Sequence, residues 1–244
     1  MSRWKASGIH LLLSAAIAGA VLIFMLTLWY PWPLFEVAGG SGLIFILVGV
    51  DVTLGPLITL IIFKAGKKGL KFDLTVIASL QLAALAYGVH TMFLARPVYL
   101  VFTVDRFELV TAKDLDPQDL TKVTREQFKR VPLGSPRYIA VVSPSDPAEK
   151  RMILQTSLAG KDLQMYPQYY VPYEQEAPNA LKHARAVSVI LERDPQTVQR
   201  HLSSAKRSQE SVKFLALRGV RVDAAVLVDA TSGAPFDILL VDPW

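Results

Sequence analysis

The chain has 244 residues, is 52% hydrophobic, carries a net charge of +5 and contains no cysteine. The missing thiols exclude disulfides, thiolate metal sites and cysteine catalysis. A basic balance invites a nucleic-acid reading, but the lysines and arginines of residues 1–94 cluster at the ends of apolar runs, so the excess follows membrane topology and nucleic-acid binding is set aside.

Residues 9–30 form the first apolar run, preceded by Arg3 and Lys5. A signal-peptide core is usually about 7–15 residues, and this run is longer, with its small residues in the middle rather than after the end. It reads as an uncleaved membrane anchor. Trp29, Tyr30 and Trp32 close it as an interfacial aromatic belt, and Pro31 and Pro33 stop the helix. A short loop, 31–42, leads into the second run.

That run, 43–63, is apolar or small except for Asp51, Thr53 and Thr59. At about 1.5 Å per residue it can cross a ~30 Å hydrocarbon core. A carboxylate there costs about 2.5–3.5 kcal/mol on insertion scales, so Asp51 must face protein or a wet cavity. Gly55 and Pro56 follow, and the proline weakens the helix ladder within two turns of the charge. The basic loop 64–71 leads into a third run, 72–94, with Gln81 mid-span and Tyr87 near the expected depth of Asp51.

Both basic ends belong on the cytoplasmic side. Three spans with the N-terminus inside then put everything after Leu94 across the membrane, which in a bacterium is the periplasm. Asp51 has three readings: a hydrogen bond to Tyr87, Gln81 or a threonine in a compact bundle; a polar notch, with Gly55 and Pro56, for a partner transmembrane helix; or an ion path. The pairs Ala15/Gly19 and Ala84/Gly88 offer close helix approach.

Residues 95–244 read as a soluble α+β domain, so the expected architecture is a three-helix transmembrane region, 1–94, followed by that domain. Residues 98–104 and 107–111 read as two strands around an Asp105-Arg106 turn, and 137–143 as a buried strand. Three Asp-Pro pairs, at 116, 146 and 194, mark helix starts and predict helices over 117–130, 147–159 and 195–207; another is expected over 178–192. Residues 212–219, 222–230 and 236–242 form a meander that can share its sheet with the first strands. The tyrosine-rich loop 165–173, with Tyr166, Tyr169, Tyr170 and Tyr173, and Arg96 beside the membrane, is either a docking surface for a protein partner or packs on its own domain.

His10, His90, His183 and His201 are scattered, and no metal-ligand spacing, phosphate loop or nucleophile elbow occurs. No enzyme, metal or cofactor is expected.

The order VDVTLGPLITLIIF (50–63), the lysine loop, KFDLTVIASLQLAALAYG (71–88) and RPVYLVFTVDRF (96–107) resembles the TfpX/TfpZ family of type IV pilin accessory proteins. Asp51, Gly55, Pro56, Asp73, Gln81, Tyr87, Gly88, Arg96 and Pro97 carry the match. The resemblance implies a non-enzymatic inner-membrane protein that assists a type IV pilin, with the major pilin and other pilus assembly proteins as partners, and modulates pilus assembly or extension and retraction. The partner-helix site would then be Asp51, Gly55, Pro56, Gln81 and Tyr87. Two rival readings are a membrane sensor with a periplasmic domain, and a small transporter or membrane enzyme; a cluster of polar side chains in the helix bundle would favour the latter.

Overall fold

A computed structural model describes residues 2–244; the side chains of residues 43, 45–48 and 50–52 lie outside the described residues. The chain divides into two compact units, Met1–Leu28 with Gly39–Leu94, and Trp29–Ala38 with Ala95–Trp244.

The first unit holds three long helices: α1 (Arg3–Leu28), α3 (Gly40–Ile62) and α4 (Leu70–Ala95). Among the described residues, α1 and α4 are long and apolar enough to cross a membrane, and Thr53–Ile62 forms a shorter apolar stretch of α3. Pro56 lies inside α3, which continues to Ile62. α1 packs along α3. Leu12, Ile61, Phe72 and Leu80 each leave about two thirds or more of their surface open. Among the described residues, nothing lies within 4 Å of where a Cβ on Gly19 would sit.

The second unit is a mixed sheet with helices on both faces. Its strands are β1 (Pro97–Phe102), β2 (Phe107–Thr111), β3 (Arg137–Val141), β4 (Tyr170–Pro172), β5 (Arg185–Ala186), β6 (Val212–Arg218), β7 (Ala224–Asp229) and β8 (Pro235–Leu239). The order is β4-β3-β1-β2-β6-β7-β8, with β5 on β6. β1 and β3 run parallel, as do β2 and β6; the other pairs are antiparallel. The strands at the two ends of the domain share one sheet, joined by Phe107↔Leu217 and Glu108↔Arg218. Leu100 and Phe102 enter one core layer while Tyr99 and Val101 enter the other. Burial on both faces explains why β1 reads as a continuous apolar run rather than an alternating one.

All three Asp-Pro starts form caps. The carboxylates of Asp116, Asp146 and Asp194 accept the amides of Gln118, Ala148 and Thr197 at 2.8, 3.0 and 3.0 Å. They open α5 (Pro117–Leu120), α6 (Pro147–Ser157) and α9 (Pro195–Ser204). The first helix is far shorter than the expected 117–130: after Leu120 the chain turns so that Val123 and Phe128 can enter the core beside Val98 and Tyr99. The helix expected over 178–192 is two, α7 (Tyr173–His183) and α8 (Ser188–Arg193). The break has a physical cause. β2 covers β6 only at residues 217–218, leaving the backbone at Lys213 and Phe214 open, and Arg185 and Ala186 fill that edge as β5.

The composition boundary at residue 94 omits one segment of this unit. Residues 29–38, the aromatic end of the first run and most of the loop expected over 31–42, include one helical turn, α2 (Leu34–Val37), whose Leu34 and Val37 sit in the sheet's main core layer. Trp29 Nε1 donates to the Leu133 carbonyl at 3.1 Å.

Candidate functional site

In the helical unit, polar side chains from three helices converge. Ser7 and His10 lie one turn apart on α1 and face α3. The Ser7 hydroxyl donates to the Pro56 carbonyl at 2.8 Å. His10 bridges two helices, with Nδ1 2.6 Å from Thr59 Oγ1 on α3 and Nε2 2.7 Å from Gln81 Oε1 on α4. An amide oxygen only accepts, so Nε2 donates to Gln81, and the Thr59 hydroxyl, which can donate or accept, is matched to Nδ1. One ring proton satisfies both contacts.

Gly55 makes this geometry possible. A Cβ there would collide with the amide of Gln81, so with any other residue at 55 that amide would have to leave its position beside His10. Thr59 is 2% exposed, and Gly55 and Pro56 are buried. Beside the bridge lies a cavity of about 160 Å³, walled by Leu13, Ile17 and Ala18 of α1 and Ala78, Leu82 and Leu85 of α4, with His10 and Gln81 at its polar edge.

Of the residues expected to form a partner-helix site, the structure brings Gly55, Pro56 and Gln81 together. Tyr87 is 74% exposed, and the side chain of Asp51 lies outside the described residues. Ser7, His10 and Thr59 belong to the cluster but were absent from the expected site. The available signal was a serine and a histidine three residues apart at the start of the first apolar run, with Thr59 one turn beyond Pro56.

In the second unit the expected docking residues are mostly interior. Tyr166, Tyr170 and Tyr173 are each 3% exposed or less. Their hydroxyls donate to Thr156 Oγ1, the Gln164 carbonyl and the Gly233 carbonyl at 2.7, 2.5 and 2.7 Å. The segment is not one loop: Tyr170 belongs to β4 and Tyr173 opens α7. Tyr169 is half-buried and packs on the Tyr166 ring at 6.3 Å. Arg96 is 2% exposed, and its Nη2 donates to the Pro132 carbonyl at 2.9 Å. Burial lowers the Arg96 pKa, and the neighbouring Tyr30 hydroxyl partly opposes that shift.

A family model described as "Fimbrial assembly protein FimB" matches residues 1–39. The fimbrial assembly protein of Dichelobacter nodosus serogroup E1 is 31% identical over 219 residues, covering 87% of this chain and 85% of the relative. The serogroup I protein of the same organism is 30% identical over the same length, and that of serogroups C1 and C2 is 37% identical over 113 residues, or 46% of this chain. No solved structure matches the chain.

Proposed function

The chain belongs to the fimbrial assembly protein family, and from that premise we propose that it is a non-enzymatic, three-span inner-membrane protein of the TfpX/TfpZ type that assists type IV pilus assembly by binding the pilin subunit. Connectivity supports the topology. Residues 29–38, which follow α1, and residues 95–244, which follow α4, fold into one unit. If α1 and α4 both span, their C-terminal ends emerge on the same side, so the chain must cross back between them. The 23-residue helix Gly40–Ile62 is the segment available to do so. The open apolar surfaces of Leu12, Ile61 and Leu80 suit lipid as their solvent. Lysine bias supports a cytoplasmic side for residues 64–71 and a periplasmic one for the folded unit.

The observation that carries the partner reading is the largely apolar cavity between α1 and α4 edged by the His10–Gln81 bridge, whose Gln81 amide also lies against Gly55 of α3. A pilin before assembly presents a single hydrophobic helix to the membrane, and an apolar side chain of that helix would fill the cavity between α1 and α4. Asp51 precedes Gly55 by about one turn of α3, so sequence position assigns it to the same proposed surface.

The polar cluster also bears on transport, the reading that such a cluster would favour. Both ring nitrogens of His10 are engaged and Thr59 is buried, which suits helix-to-helix glue better than a path for ions.

Asp51→Asn, Pro56→Ala and Gly55→Ala test the proposal. Each is expected to reduce piliation and crosslinking to pilin while the protein accumulates normally. Normal crosslinking and piliation in all three would end the partner-helix reading.

A further inference from the structure

The second unit carries a cavity of about 230 Å³ that the pilus reading does not use. Its lining includes Pro31, Trp32, Pro136, Tyr138, Phe236 and Asp237. Aromatic faces are electron-rich and attract cations. Asp237 supplies a carboxylate held in place on both sides: His201 Nδ1 lies 2.6 Å from Oδ2, and the Ile238 amide donates to Oδ1 at 2.8 Å. The Tyr138 pKa is raised by burial and then by the charge of Asp237, which keeps its hydroxyl protonated. No lysine or arginine is among the lining residues. Arg207 lies over the Phe236 ring at 4.5 Å and is bound by Asp229 at 2.6 Å.

We propose that this cavity binds the primary ammonium of a phospholipid headgroup, with Asp237 as counter-ion and the rings of Trp32, Tyr138 and Phe236 around it. The cavity is smaller than the ~300 Å³ at which drug-sized pockets begin, which suits a headgroup. Chain geometry favours lipid over a protein amine. Pro31 follows the end of α1, Leu28, by three residues, so Pro31 itself can be at most about 11 Å from that residue along the chain. Trp32, 70% exposed, is a residue type favoured at membrane interfaces. The inference rests on the reading that α1 spans the membrane.

The test uses the full-length protein in nanodiscs containing phosphatidylethanolamine and phosphatidylglycerol, with retained lipid counted by native mass spectrometry. Wild type is expected to retain phosphatidylethanolamine roughly fivefold or more over phosphatidylglycerol. Asp237→Asn, which keeps the side-chain shape, is expected to abolish that preference, and Tyr138→Phe to weaken it. Equal phosphatidylethanolamine retention by wild type and Asp237→Asn overturns the proposal. So does a photoreactive residue at position 32 that crosslinks a protein instead of lipid in cells. Carbonate extraction separates the two readings: a protein released from membranes contradicts the spanning reading, whereas a retained protein without lipid preference contradicts only the pocket.

Discussion

The carbonyl of Val37 accepts the amide of Val220 at 2.9 Å, tying the segment after the first long helix to the turn between β6 and β7. The Arg221 amide reaches the same oxygen at 3.2 Å. Gly219 completes the fit, because a Cβ there would strike the Val222 carbonyl and, at 2.7 Å, the Val37 side chain. The periplasmic reading of residues 95–244 therefore extends to residues 29–38.

This contact makes Leu34 and Val37 sensitive core positions. Leu34→Ala is expected to cost about 2–5 kcal/mol, and Gly219→Ala about 1–3 kcal/mol through overpacking. Thermal unfolding of the full chain measures both. Wild-type stability in both variants would show that the segment does not belong to the core.

His10 and Gln81 should act as one unit. Replacing either with alanine is expected to cost about 0.6–2 kcal/mol, the usual range for a hydrogen bond between membrane helices. The double variant should cost less than the sum of the two singles. Protease resistance of the helical unit in detergent provides the measurement, and strict additivity would mean that the bridge does not form.

Acid should destabilise the folded domain. Burial opposes ionisation of Asp119, but hydrogen bonds from Lys122 and Lys161 outweigh it and hold the carboxyl below its ordinary range. The Ser232 amide, the Arg207 guanidinium, the Ser232 hydroxyl and the Thr231 amide hold Asp229 lower still. For a depressed carboxylate, the stabilisation is complete above the unfolded value of about 3.9 and is lost as pH falls through the folded value. Burial pushes Glu108 the other way, so its protonation offsets part of the loss. Melting temperature should hold from pH 7 to about 5 and fall below about 4. Asp119→Asn should flatten the acid limb; a variant as acid-sensitive as wild type contradicts the assignment.

The caps should differ in reach. α6 buries no residue, whereas α9 buries Val198 and Leu202. Removing either cap costs about 1 kcal/mol locally. Asp194→Ala should lower the global melting temperature, while Asp146→Ala should mainly speed hydrogen exchange within α6.

Local signals were readable wherever one chemical cause dominated. The Asp-Pro pairs located three helix starts because cap and proline act within a single turn. The β1–β2 hairpin and the final meander were readable from dense β-branched runs. Features that depend on distant partners were not. Arg185 and Ala186 become a strand only because β6 has an open edge. Tyr166, Tyr170 and Tyr173 resemble an interface in sequence, yet their hydroxyls find partners inside the domain. His10 looked isolated because Thr59 and Gln81 lie on other helices. Residues 31–42 read as a short loop because the core partners of Leu34 and Val37 lie far along the chain, in the sheet.

The central claim is that the helical unit receives the pilin helix beside Gly55 and Gln81. In-cell photocrosslinking from residues 51–56 of α3 and from Leu82 and Leu85 of α4 tests it most directly. The account predicts a crosslink to the pilin subunit at these positions, diminished by Gly55→Ala. Crosslinks to lipid alone, in cells that still build normal pili, would contradict it.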